Sequence, residues 1–96
     1  MDFAMTNWAE LRQIKSPDDL ARLIEDVSLA VRAGKLKQIS MSGKPFATQE
    51  DILNISPSGP WPDYLELFFE DTKTGEQYKL IAEIYHGRGG TWERIL

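Results

Sequence analysis

The chain contains no cysteine and a single histidine, His86. The first absence removes a disulfide framework, a thiol nucleophile and any Cys-based zinc or iron-sulfur site, and the second removes His-rich metal clusters, so no metal or cofactor is expected. Apolar runs are only a few residues long, too short to span a membrane. The start Met1-Asp2-Phe3-Ala4-Met5 has neither the basic segment nor the apolar stretch of a secretion signal, which makes the cytoplasm the expected address. Bases are the minority charge: eleven Lys and Arg stand against fifteen Asp and Glu, a net charge of -4. That sign repels phosphate backbones, so nucleic acid is not an expected partner, whereas a basic protein is attracted. What is present is 96 residues, 42% of them hydrophobic, which is enough for one core and one domain over residues 1–96.

The pattern runs helices first, strands last, and predicts an α+β domain in which N-terminal helices pack on a C-terminal antiparallel β-meander. Asn7 followed by Glu10 resembles a capping pair opening a short helix through Trp8, Leu11 and Ile14, which Pro17 must end. A second helix over residues 17 to 33 has Ser16 as N-cap, Pro17 at its first position, Asp18 and Asp19 at the positive dipole end, and Gly34 closing it. Leu20, Leu23, Ile24, Val27 and Val31 repeat on one face, a stripe that a sheet must cover. Arg32, Lys35, Lys37 and Lys44 lie in an acid-free stretch and read as dipole partners and solvated surface around the helix end. Leu36 to Met41 suits a short strand, and Thr48 with Asp51 precedes one or two helical turns at Ile52, Leu53 and Ile55. The loop from Ser56 to Pro62 carries Trp61, which pins it to the body or meets a partner.

The last third reads as a meander. Tyr64 to Glu70 and Gln77 to His86 flank a hairpin loop with Gly75 left-handed, and placing Asp71 opposite Glu76 pairs Phe69 with Tyr78, Leu67 with Leu80 and Leu65 with Ala82. That apolar face covers the second helix. A turn at Gly87-Arg88-Gly89-Gly90 returns the chain, with Tyr85 expected beside Trp92 and Glu83 beside Arg94. Alternation then places Tyr64, Glu66, Phe68, Glu70, Ile81, Glu83, Tyr85, Trp92 and Arg94 on the opposite face. Aromatics mixed with spaced carboxylates suit an interface, where rigid rings supply area and charges set orientation. The competing expectation is that the first helix covers part of this face through Trp8 and Leu11.

No catalytic constellation assembles. His86 lies at a strand end beside the glycine turn, where a lone histidine is more often a turn or helix-contact residue than a general base. Gly87-Arg88-Gly89-Gly90 precedes a strand, so no helix dipole is there to hold phosphate. Glu76 and Lys79 are separated by two residues and point to opposite strand faces, unlike the ligands of a metal-dependent nuclease. Glu66 and Glu83 share a face, yet an exposed carboxylate pair near a base reads as a surface charge network.

In its size, acidity and helix-then-meander layout, the chain resembles the small immunity proteins that protect bacteria from their own contact-dependent inhibition toxins. The segments that carry the likeness are Tyr64-Leu65-Glu66-Leu67-Phe68-Phe69-Glu70-Asp71 and Ile84-Tyr85-His86-Gly87-Arg88-Gly89-Gly90-Thr91-Trp92. The resemblance implies a cytoplasmic protein that plugs a toxic nuclease's active site with acidic and aromatic residues. The expected partner contacts are Trp61, Tyr64, Glu66, Phe68, Glu83, Tyr85 and Trp92. A second expectation, from a different class, is a small ligand-binding or isomerase-like domain with a pocket between helix and curved sheet, lined by Tyr78, Trp92 and His86. The phrase Leu29-Ala30-Val31-Arg32-Ala33-Gly34-Lys35-Leu36 resembles the helix-to-strand passage of nuclear-transport-factor-like cones. A homodimer through the aromatic face or the edge of the terminal strand is compatible with toxin binding.

Overall fold

Ser16 starts the long helix as expected: in the computed structural model, which describes residues 11–40, 50–83 and 89–95, its hydroxyl accepts the Asp19 N–H at 3.2 Å. The Asp19 carboxylate reaches back to the Lys15 N–H at 2.9 Å, so two N–H groups at this end of the helix are satisfied reciprocally. Helix α1 runs over Pro17–Arg32, and Gly34, at φ +77°, then takes the left-handed conformation that turns the chain back. Leu20, Leu23, Ile24, Val27 and Ala30 are buried along one stripe, while Arg22, Glu25, Leu29 and Arg32 stay exposed on the other.

Among the described residues, five antiparallel strands receive that stripe: β1 (Arg12–Ile14), β2 (Leu36–Ile39), β3 (Tyr64–Asp71), β4 (Gln77–Glu83) and β5 (Gly89–Arg94). Their order across the sheet is β1-β5-β4-β3-β2. The β3–β4 hairpin has the expected register, with Leu65 opposite Ala82, Leu67 opposite Leu80 and Phe69 opposite Tyr78. Its loop is organised by Asp71, whose carboxylate accepts the N–H groups of Lys73 at 2.7 Å and Thr74 at 3.1 Å, and Gly75 is left-handed at φ +80°. β2 lies along the far side of β3, and Gln38 uses its side-chain amide as a clasp. It donates to the Glu50 carbonyl at 2.8 Å and accepts from the Ile52 N–H at 2.7 Å. This anchors a 3-10 turn, Ile52–Asn54, which Asp51 caps through the Leu53 N–H and which buries Ile52 against the core.

Two expectations are corrected. Residues 12 to 14 form a strand, so the described residues contain one α-helix where several were expected; Asn7 to Glu10, and with them Trp8, lie outside those residues. The capping-like pattern is local, whereas Arg12 to Ile14 gain a ladder with β5, Arg12 opposite Trp92 and Ile14 opposite Gly90, and bury Ile14. The second correction is the β4–β5 register: Glu83 faces Gly89 instead of Arg94, and Leu80 faces Trp92. A slip by an odd number of residues exchanges the two faces of a strand. It carries Trp92 from the outer face to the core beneath α1, where burying its large apolar surface favours the observed register. The terminal strand β5 consequently lies between β1 and β4, and its edge is not open.

Candidate functional site

The face of the sheet turned away from α1 carries Tyr64, Glu66, Phe68 and Glu70 from β3, Lys79, Ile81 and Glu83 from β4, Thr91 and Glu93 from β5, and Lys37 and Ile39 from β2. Four of these residues are glutamates and two are lysines. Tyr64 sits opposite Glu83, Glu66 opposite Ile81 and Phe68 opposite Lys79, so rings, carboxylates and an ammonium alternate across the strands. The Lys79 ammonium lies 3.7 Å from the Glu93 carboxylate, and the Thr91 hydroxyl donates to the same carboxylate at 3.5 Å. Glu70 and Lys37 face each other across β3 and β2. Among the described residues of the face, acids outnumber bases.

The expected contact residues do not all meet on this face. Tyr64 and Glu83 are there and half-buried. Glu66 and Phe68 are there too, but they are buried, 6% and 5% exposed, although Phe68 is not part of the core beneath α1. Trp92, expected on the outer face, lies on the inner one at 1% exposure, stacked on Tyr78 with ring centres 5.3 Å apart and tilted against Phe69 at 5.6 Å. Arg94 is opposite Tyr78 and pairs with Glu76 at 2.8 Å, away from Glu83. Tyr85 and His86 lie outside the described residues. Trp61 is on the loop before β3, half-buried against the core, its indole N–H donated to the Ser56 carbonyl at 2.9 Å. It shares with Ile14, Leu20, Ala82 and Glu83 the lining of a recess of about 110 Å³ at the start of α1, so the fold brings Trp61 and Glu83 together beside the sheet.

Lys79, Thr91 and Glu93 belong to the face and were missed. Their alternation with Tyr78, Leu80 and Trp92 was the available signal once Trp92 is taken as core. Tyr78 is the perturbed group of the region. Burial comes first, then its hydrogen bond to the Glu76 carboxylate at 2.9 Å and the charges of Glu76 and Asp71; against the opposing pull of Arg94 these push its phenol up to about 12. Because Tyr78 is a core residue, this shift concerns stability instead of chemistry.

Among the described residues no cluster of three or more His, Asp and Glu could hold a metal ion, and no helix is long and apolar enough to cross a membrane. No protein-family model matches the chain, and neither a curated protein nor a solved structure is significantly similar to it.

Proposed function

We propose that the chain is a protein-binding module whose acidic sheet face docks a basic protein, in the manner of an immunity protein blocking a nuclease-type toxin. The observation that carries this reading is the outer face itself, with the partly exposed Glu70, Glu83 and Glu93 set among Lys37 and Lys79 on one sheet. Strand pairing fixes the backbone and the spacing from which these side chains project, so docking needs no rearrangement of the sheet. Carboxylates spaced along neighbouring strands present negative charge where a nuclease holds phosphates, and they accelerate encounter with a positive surface. Tyr64, at the start of β3, supplies an aromatic anchor next to Glu83. The contact set is therefore Tyr64, Glu70, Glu83 and Glu93, with Trp61 at its margin and Trp92 assigned to the core. A ligand pocket between helix and sheet is disfavoured because the Tyr78–Trp92 stack fills the space that such a pocket needs.

Affinity capture from native lysate on the immobilised chain, followed by kinetics with the identified partner, tests the reading. The expected partner is net basic and associates more slowly as salt rises. Reversing Glu70, Glu83 and Glu93 together to lysine lowers the association rate by about tenfold or more, with far-UV circular dichroism checking that the variant remains folded. Tyr64→Ala chiefly speeds dissociation, by about 1 to 2 kcal/mol. An acidic partner, or a stably folded triple reversal that binds at wild-type strength, overturns the assignment.

A further inference from the structure

The opposite side of the molecule carries a second surface with its own logic. Leu29 is 56% exposed and Leu53 39% exposed, and the two line one open groove of about 370 Å³ between α1 and the 3-10 turn, with Ser28, Ile55 and Pro57 along its walls. Leu29 falls outside the stripe that α1 buries, so its exposure is not explained by the core. It is flanked on the same helix face by Glu25, one turn before it, and Arg32, one turn after. Both are exposed, and neither forms an ion pair among the described residues.

That order of acid, leucine and base is complementary to itself in reverse. Two such helices laid antiparallel about an axis between residues 28 and 29 place Glu25 of each copy opposite Arg32 of the other, and the two Leu29 side chains side by side at the centre. A twofold contact repeats each pair, so one acid and one base on the helix yield two ion pairs around an apolar middle. Arg22 falls past the end of the second copy's helix in this arrangement and meets no opposing helix residue. We propose that this groove is the interface of a weak twofold dimer, each Leu29 seating beside Leu53 of the second copy. The patch is small, which sets the association in the weak range of protein contacts. Because α1 lies on the inner face of the sheet, this dimer contact does not involve the outer face.

Sedimentation of the purified chain from about 10 μM to about 1 mM tests the proposal, since a contact this small is populated only at such concentrations. The wild type is expected to show a concentration-dependent dimer. Glu25→Arg and Arg32→Glu each weaken it about tenfold by placing like charges together twice, and the double swap restores it. Leu29→Glu abolishes it, with far-UV circular dichroism confirming that the fold persists. A monomer throughout the range, a double swap no better than the single changes, or a dimer that survives Leu29→Glu overturns the proposal; the last outcome places association on another surface, such as the outer sheet face or a strand edge.

Discussion

Tyr78 concentrates several forces in one side chain. Its ring is stacked on Trp92 beneath α1, and its hydroxyl reaches the sheet margin to donate to Glu76, which also holds Arg94. The buried phenol is easier to keep neutral than the unfolded one, whose pKa lies near 10. A folded value raised to about 12 means that the stabilising contribution is complete below about pH 10 and disappears as pH rises through the folded pKa. Thermal midpoints followed from pH 8 to 12 should therefore fall over the last two units more steeply in the wild type than in Tyr78→Phe, which keeps the stack and lacks the titrating group. Parallel slopes in the two proteins would show that Tyr78 is not the group responsible.

At the scale of elements, the joint between β5 and its neighbours is the most exacting. Gly90 is opposite Ala82, and a Cβ at Gly90 would run into the Ile81 carbonyl oxygen, which is backbone and has no rotamer by which to retreat. Gly90→Ala is expected to destabilise the chain by about 3 kcal/mol or more, measured by urea unfolding, because either β4 or β5 must shift. The same joint explains what could be read from the chain alone. Helix α1 and the β3–β4 hairpin were legible because their signals are local: Ser16, Pro17 and Gly34 mark the helix, and Asp71 with Gly75 marks the hairpin. The β4–β5 register was not legible, since Gly87-Arg88-Gly89-Gly90 admits several turns and only the burial of Trp92 selects among them. β1 was misread for a related reason, its partner being at the other end of the chain. The consequence for the candidate face was partial: Tyr64, Glu66, Phe68 and Glu83 follow from strand alternation in a correctly read hairpin, whereas the exchange of Trp92 for Glu93 needed the long-range register.

Over the whole molecule, α1 and the sheet share one core, into which Ile24 projects from the helix and Leu67 from the hairpin, both at most 1% exposed. Truncating either to alanine should cost about 2 to 5 kcal/mol and lower the unfolding midpoint seen by helix and tertiary probes alike, as expected of a single cooperative unit. A loss below about half a kcal/mol, or separate transitions for the two probes, would contradict that description. The strand order also has a consequence for synthesis on the ribosome. β1 is made before every other described element, yet its strand neighbour among the described residues is β5, made last among them, and β5 also covers the outer edge of β4. While a nascent chain has delivered only the earlier strands, Arg12 to Ile14 have no ladder to join, and β4 offers its bare edge to any strand nearby. The described sheet therefore cannot close until β5 has been made, and until then the edge of β4 is open to mispairing with other chains.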